Sequence, residues 1–179
     1  MRELSLHIMD IIENGIRAGA DQIIIRISED KKKNLLTISI EDNGSGIPHD
    51  MFEKVTDPFF TTKTTRRIGL GLSLFSEASK RCEGEFKIDS KEGKGTVVAA
   101  TFRMDHIDMA PLGNMAGTMA SLIMGYSEVD FIYVHERDGK SFLLDTRQIR
   151  EDLEGVPINN PKVIGWISKN INEYLKGKN

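Results

Sequence analysis

The sequence has 179 residues, of which 39% are hydrophobic and 28% are charged, and its formal net charge is -3. This length accommodates one ordinary domain, or one domain with a small second unit. The composition predicts a globular chain, because it has neither the polar excess of a disordered protein nor the apolar excess of a membrane protein. The small negative charge lacks the basic excess of a nucleic-acid binder, so we expect neither nucleic acid nor a membrane as a partner.

Cysteine usage and the N-terminal residues favour a reducing, cytoplasmic setting. The single cysteine, Cys82, excludes an internal disulfide framework. Glu3, Asp10 and Glu13 interrupt the apolar core that a secretion signal needs. The most apolar later stretch, residues 110–126, is too short and too mixed in polarity to cross a bilayer. We therefore predict a cytoplasmic protein without a targeting or membrane-spanning segment.

The first 48 residues predict a helix, two strands and a polar loop. On a helical wheel, residues 4–18 separate into an apolar face and a polar face. Residues 22–27 and 35–41 have strand patterns around a charged turn, and residues 42–48 form a loop. The apolar face of the helix comprises Leu4, Ile8, Ile11, Ile12 and Ile16, and the polar face comprises His7, Asp10, Asn14 and Arg17.

The following segments predict a short helix over residues 49–55, a polar loop, a glycine-opened helix over 69–84 and a hairpin over 85–103. This order of elements predicts a two-layer α/β (α+β) sandwich, with helices on one face of a mixed, mostly antiparallel sheet. The pattern loosens near residue 105. We therefore divide the chain into a first domain, residues 1–104, and a small α+β module, residues 105–179.

The C-terminal module predicts one helix, a hairpin that turns at Asp138 and Gly139, and two further helices. Met115, Met119 and Ile123 recur at four-residue spacing and form an apolar stripe. Such a stripe usually belongs to a core and less often binds a partner. We expect the module to mediate self-association or partner docking, with the stripe contributing if it is exposed.

The polar face of the opening helix carries a candidate metal site. The amide oxygen of Asn14 can ligate Mg²⁺, a cation that takes its other ligands from water and nucleotide phosphates. A carboxylate one turn earlier, Asp10, can hold an attacking water or hydroxyl. Taken alone, a polar helix face is more often an ordinary solvated surface.

Three glycine-containing segments complete the pattern, although no Walker-type GxxxxGK[ST] motif occurs. In DNGSG, residues 42–46, a buried Asp42 can accept a hydrogen bond from an exocyclic amino group such as that of adenine. The alternative is an Asn-Gly hairpin turn, which the helical periodicity after Pro48 weakens. The glycines of IGLGLS, residues 68–73, precede a helix and leave amides free for phosphate. EGKGT, residues 92–96, alone predicts only a turn.

Together these four segments resemble the N box and the three glycine boxes of the GHKL superfamily, in order and in separation. The stretch DIIENGIRAGADQIIIRI is similar to the mismatch-repair MutL pattern around its magnesium-binding asparagine. DPFFTTK followed by GLGLS is similar to the F box and second glycine box of bacterial sensor histidine kinases. The resemblance implies a Bergerat α/β sandwich that binds ATP with Mg²⁺.

The resemblance also implies a role for each matching residue. Asn14 would hold Mg²⁺, Asp10 would stand at the position of the general base, and Arg17 would lie near the phosphates. Asp42 would bind the adenine amino group. Of the remaining residues, Gly44 and Gly46 would line the base, Thr96 would lie beneath it, Phe59 and Phe60 would anchor a lid, Lys63 would approach the terminal phosphate, and Gly69, Leu70 and Gly71 would surround the phosphates.

Two departures from the family pattern weaken the inference of catalysis more than that of binding. Asp10 stands where family members often have glutamate, which is one methylene longer, and Arg67 replaces the first glycine of the lid element. A complete sensor kinase also carries a phosphoaccepting histidine in a two-helix domain ahead of the ATP-binding domain. Only six residues precede His7 here, so we expect no such domain and interpret His7 as a structural residue or one at the rim of the site.

Three functions remain open from the sequence. The first is a histidine-kinase-like protein that binds Mg²⁺-ATP and hydrolyses it or transfers its γ-phosphate to a separate partner. The second is a serine kinase like those of the anti-sigma-factor branch. The third is a non-catalytic nucleotide sensor or regulatory subunit.

Overall fold

The computed structural model describes residues 3–48 and 69–177. Within this part of the chain there are five helices and six strands. The helices are α1 (Leu4–Arg17), α2 (Gly69–Arg81), α3 (Met115–Gly125), α4 (Thr146–Asp152) and α5 (Pro161–Leu175). The strands are β1 (Gln22–Asp30), β2 (Leu35–Asp42), β3 (Phe86–Lys91), β4 (Gly95–Arg103), β5 (Asp130–Arg137) and β6 (Lys140–Asp145).

All six strands belong to one sheet, in the order β3-β4-β2-β1-β5-β6. Four neighbouring pairs are antiparallel, and only β1 and β5 run parallel. Successive strand residues face opposite sides, and the alternation buries Ile23, Ile25 and Ile27 of β1 on the helix side. The predicted sandwich with a mixed, mostly antiparallel sheet is therefore confirmed.

The sheet continues across residue 105. Strand β5 pairs with β1 along its whole length, from Gln22 opposite Asp130 to Glu29 opposite Arg137. Helix α3 packs against both α1 and α5. Met115, Met119 and Ile123 are at most 1% exposed and belong to the same hydrophobic cluster as the core of α1 and β1. The apolar stripe is therefore part of the core. Its predicted contribution to docking required exposure, so the stripe is not a docking surface.

Two element boundaries differ from the sequence-based prediction. Strand β1 extends to Asp30, although Ser28, Glu29 and Asp30 have the composition of a solvated turn, because both β2 and β5 pair with this end of β1. Helix α2 runs from Gly69 to Arg81, so it ends before the predicted Gly84, and Gly69 and Gly71 lie inside its first turn. The first turn of a helix still carries amide groups without an intrahelical acceptor, so the expected phosphate-binding chemistry is unchanged.

A buried polar network fastens β5 to the end of β1. Glu29 Oε1 lies 2.7 Å from His135 Nε2, and the Tyr133 hydroxyl lies 2.7 Å from His135 Nδ1. His135 and Tyr133 are fully buried, and Arg137 forms an ion pair with the other oxygen of Glu29 at 3.3 Å. The hydrogen bond with His135, with a smaller contribution from Arg137, holds the pKa of Glu29 below its ordinary value.

We expect Glu29→Gln to remove an acid-sensitive part of the stability. A carboxyl whose pKa is lower in the folded state stabilises the fold above its unfolded pKa of about 4.3, and this stabilisation is lost as the pH falls through the folded pKa. Urea unfolding between pH 3 and pH 7 should therefore show a difference between wild type and variant that shrinks towards the acid end. For Glu128→Gln, an exposed control, the difference in unfolding free energy from wild type should be smaller and should change less with pH. A difference for Glu29→Gln that stays constant from pH 3 to pH 7 would contradict the assignment.

Candidate nucleotide site

The polar face of α1 meets the first turn of α2. A Cβ atom added to Gly71 would lie 3.1 Å from Cβ of Asp10 and 3.7 Å from Nδ2 of Asn14. The ring of His7, one turn earlier, is buried 5.9 Å from the ring of Phe75 and is therefore part of the packing between the two helices. The structure thus brings the polar face of α1 and the IGLGLS segment together, with Asp10 and Asn14 beside Gly71 of α2.

Asp42 ends β2 and lies opposite Thr96 of β4. Its Oδ1 atom accepts a 2.9 Å hydrogen bond from the backbone N–H of Gly44. Burial raises the pKa of Asp42, although the backbone amides of Gly44 and Thr96 act in the opposite direction. A half-buried carboxylate whose charge is incompletely compensated is suited to accept a hydrogen bond from a ligand amino group.

Gly15 joins α1 to Asp42, and the sequence motifs did not identify it. A Cβ on Gly15 would lie 2.9 Å from Cβ and 3.1 Å from Oδ2 of Asp42, so only glycine leaves the carboxylate undisturbed. A glycine inside a helix costs about 1 kcal/mol relative to alanine, and this cost is the sequence signal for a close approach at this position.

The DNGSG segment, residues 42–46, and the EGKGT segment, residues 92–96, contact each other through hydrogen bonds. The backbone N–H of Gly93 donates to Ser45 O at 2.7 Å, and that of Ile47 donates to Ser90 Oγ at 2.8 Å. Gly95 has φ +96°, and a side chain there would overlap the carbonyl group of Asp42. The loop after Asp42 is therefore fixed against the β3–β4 turn by backbone contacts that require glycine.

Two polar residues that the motifs did not single out also order this region. Ser90 Oγ lies 2.8 Å from Thr96 Oγ1, so it fixes the hydroxyl of the residue predicted to lie under the base. Asn43 Oδ1 accepts hydrogen bonds from the backbone N–H groups of Asp21 and Gln22, each at 3.0 Å. Asn43 lies inside the predicted loop motif, but nothing in its spacing indicated a contact with the start of β1.

Arg17 contacts the asparagine predicted to hold the metal. Its Nη1 donates to Asn14 Oδ1 at 3.1 Å, and its Nη2 pairs with Glu13 at 2.7 Å. The oxygen that would coordinate a cation is therefore bonded to a guanidinium in this state. A cation at Asn14 would therefore share this oxygen with, or take it from, the guanidinium of Arg17.

The remaining predicted site residues divide by location. Gly44 is buried beside Asp42, and Gly46 has φ +69° where its loop touches the backbone of Lys91. The backbone of Gly69 and Leu70 belongs to the first turn of α2. Phe59, Phe60 and Lys63, like the predicted helix over residues 49–55, lie outside the described residues.

The arrangement fits the chemistry of a magnesium-bound adenine nucleotide. Asp42 supplies a carboxylate acceptor within a cradle that side chains on Gly15 or Gly44 would fill. Asn14 supplies a neutral oxygen beside the first turn of α2, where phosphate groups favour a helix N-terminus. Among the described residues, no helix combines the length and the hydrophobicity of a membrane-spanning segment.

Comparison with known proteins identifies the class of fold. The family described as "Histidine kinase-, DNA gyrase B-, and HSP90-like ATPase" matches residues 2–106. The chain therefore belongs to this ATPase family, the GHKL superfamily. The predicted family membership is confirmed.

Individual relatives share the ATPase region. Sporulation kinase C of Bacillus subtilis is 37% identical over 89 residues, which are 50% of this chain and 21% of the relative. A putative sensor protein of Shewanella frigidimarina is 35% identical over 109 residues, 60% of this chain and 17% of the relative. The matched region is thus about a fifth of the length of these relatives.

Solved structures support the fold. The MutL ATPase domain of Aquifex aeolicus, solved as a complex with ADP, covers 86% of this chain and 70% of that chain with a TM-score of 0.54 and 16% identity. The N-terminal domain of a DNA repair protein covers 81% of this chain and 53% of that chain with a TM-score of 0.51, also at 16% identity. At this identity the likeness concerns the fold alone.

Proposed function

We propose that this protein binds Mg²⁺-ATP between α1, α2 and the β2–β4 end of the sheet, and hydrolyses it or transfers its γ-phosphate to a separate protein. The observation that carries the proposal is the meeting of four separated motifs: Gly15 of α1 and Gly95 of the fourth motif approach Asp42, and Gly71 of α2 approaches Asp10 and Asn14. Membership of an ATPase family supports it, as does a similar fold that was solved with ADP.

Each residue in the site has a proposed role. Asp42 accepts the adenine amino group, Thr96 and the loop glycines Gly44 and Gly46 surround the base, and the first turn of α2 receives the phosphates. Asn14 would hold Mg²⁺ through its amide oxygen, and Arg17, which now donates to that oxygen, would contact a phosphate. Asp10, beside Gly71, orients the attacking water or hydroxyl. A lid is proposed to complete the site, with Phe59 and Phe60 as its anchors and Lys63 as its contact to the terminal phosphate.

One observation favours a non-catalytic sensor as the second candidate. Asp10 has a shorter side chain than glutamate, and the Asn14 oxygen is held by Arg17, so nucleotide binding without turnover is compatible with the same geometry. A sensor changes partner affinity only if nucleotide binds its two states differently. The two candidates therefore differ in turnover and not in binding.

The deciding experiment follows γ-labelled ATP, with and without cell extract. Free labelled phosphate from the purified protein shows an ATPase. Acid-labile label on a second protein shows a histidine or aspartate kinase, and acid-stable label on a second protein shows a serine kinase of the anti-sigma-factor kind. Binding without turnover in either arm shows a sensor, and absence of ATP binding contradicts the proposal as a whole.

Asn14→Ala should abolish the part of ATP affinity that depends on Mg²⁺ and should spare adenine recognition. The substitution removes the amide oxygen but leaves Asp42 and the glycine loops in place. Calorimetric titration of ATP with Mg²⁺ and with EDTA measures both parts. Asn14→Asp keeps an oxygen ligand and serves as the matched control, for which we expect magnesium dependence to persist. If Asn14→Ala keeps the magnesium dependence of wild type, the cation is held elsewhere.

A further inference from the structure

A groove of about 340 Å³ separates α4 from α5, and none of its lining residues belongs to the four nucleotide motifs. Its lining is largely apolar, and Trp166 is 55% exposed. Val156, in the connection between the two helices, is also exposed. The residues that line the groove are Ile149, Asp152, Leu153, Lys162, Val163 and Trp166. An exposed tryptophan beside an apolar groove is typical of the central residues of protein interfaces.

The two walls of the groove carry opposite charges. On the α4 side, Glu151, Asp152 and Glu154 are exposed, and none forms an ion pair with another described residue. Each of the two arginines of α4 pairs with a carboxylate outside this set, Arg147 with Asp145 and Arg150 with Asp130, and of the three only Glu151 also interacts with Arg147. The α4 wall is therefore acidic.

The α5 side of the groove is basic. Lys162 lines it and forms no ion pair with a described residue, including Asp152 across the groove. Lys169, two turns further along α5, is 72% exposed and only loosely paired with Glu173 at 3.8 Å. Each wall thus carries one lining charge, Asp152 or Lys162, that forms no ion pair with a described residue.

Gly165 gives a second, independent indication of a contact at this surface. It lies within α5, next to Trp166, and a Cβ added there would meet no atom within 4 Å. A glycine inside a helix is unfavourable relative to alanine, and nothing within the described part of the chain requires one here. A missing side chain does, however, allow a second backbone to approach α5 closely.

From these observations we propose that the α4/α5 surface binds the same surface of a second copy of this chain, with α5 of each copy over α4 of the other. A two-fold rotation places the basic wall of one copy against the acidic wall of the other, twice, as an isologous interface requires. The same rotation brings Trp166 of each copy to the groove of its partner. The opposite charges on the two walls favour this partner over a foreign one, because they make the surface complementary to itself.

Sedimentation velocity of the full chain tests the proposal. We expect wild type to change from monomer to dimer as concentration rises, with weaker association at high salt. Trp166 is the only tryptophan, so its fluorescence should shift to shorter wavelength over the same concentration range. Two charge-reversed variants make the test specific: Lys162→Glu with Lys169→Glu, and Glu151→Lys with Asp152→Lys and Glu154→Lys. Each alone should be at least tenfold weaker in self-association, and a mixture of the two should form the heterodimer.

Gly165→Ala separates an interface role from a purely structural one. It should raise the melting temperature of the monomer, because alanine is the better helix former, and it should weaken dimerisation by several-fold. Nucleotide titration of each variant checks that the fold is intact. A wild type that remains monomeric at all concentrations overturns the proposal, as do charge-reversed variants that dimerise as well as wild type.

Discussion

Asp42→Asn is expected to weaken binding of ATP and ADP by about 10- to 150-fold. The substitution replaces a charge-assisted hydrogen bond to the adenine amino group, worth about 1.5 to 3 kcal/mol, and each 1.4 kcal/mol corresponds to a factor of ten. The asparagine oxygen still accepts the N–H of Gly44, so the loop conformation is kept. Calorimetric titration with ADP and with ATP measures the change.

The same substitution should have the opposite effect on the empty protein. Burial raises the pKa of Asp42, so its ionised form is disfavoured in the folded state relative to the unfolded one. For an acid with a raised folded pKa, this unfavourable contribution is absent at low pH and grows as the pH rises through the folded pKa. At neutral pH, Asp42→Asn should therefore leave the melting temperature of the nucleotide-free protein unchanged or raised.

Glu41→Gln is the matched control for both measurements. It removes one carboxylate from the neighbouring position of β2, where Glu41 forms an exposed ion pair with Arg26. We expect nucleotide affinity within a factor of two of wild type. Undiminished binding by Asp42→Asn would contradict the adenine assignment, and a marked loss of stability would show that its role is structural.

Local sequence patterns were sufficient to predict the described elements and the family of this fold. The periodicity of α1, the alternation in the strands and the glycine segments each depend on a few neighbouring residues. The glycines at 44, 46 and 71 were predicted because each lies in a motif, and the structure shows the close backbone or side-chain contact that each permits. Gly95 lies in the fourth motif, of which only Thr96 was assigned a role. Gly15 carried a weaker signal, since a single helical glycine has several explanations.

Pairing between distant segments could not be predicted in the same way. Glu29 has the composition of a turn residue, and its pairing with β5 and its hydrogen bond with His135, 106 positions away, are contacts that no neighbouring residue indicates. The parallel pairing of β1 with β5 is also non-local, because it joins Gln22 to Asp130, on opposite sides of residue 105. The location of the stripe at Met115, Met119 and Ile123 was also ambiguous, since four-residue spacing fits both a buried and an exposed face of a helix.

The connection between the nucleotide loop and the C-terminal residues passes through Asp21. Its carboxylate accepts a 2.6 Å hydrogen bond from Asn43, the residue after Asp42, and its backbone carbonyl accepts one from the N–H of Asp130 at the start of β5. Asp21 therefore joins the loop after Asp42 to the first residue of β5 by direct hydrogen bonds.

Removal of residues 105–179 is accordingly expected to unfold the remaining chain, although all four motifs precede the cut. The deletion exposes the β1 edge of the sheet and removes side chains from the shared core, each worth about 1.5 to 3 kcal/mol when fully buried. A domain has a net stability of only about 5 to 15 kcal/mol, so the loss is comparable to the whole. The removed core side chains include Met115, Met119, Leu122, Phe131 and Tyr133.

A nicked protein provides the control that separates loss of contacts from a mere break in the chain. Ile107 is 91% exposed in the connection between β4 and α3, so a protease site placed there can be cut while both parts remain present. We expect the nicked protein to keep a cooperative thermal transition and its ADP affinity, whereas fragment 1–104 should lack both and should recover them on addition of fragment 105–179. A fragment 1–104 that melts cooperatively and binds ADP within a few-fold of wild type would instead show an independent ATPase domain, as the motif positions alone suggest.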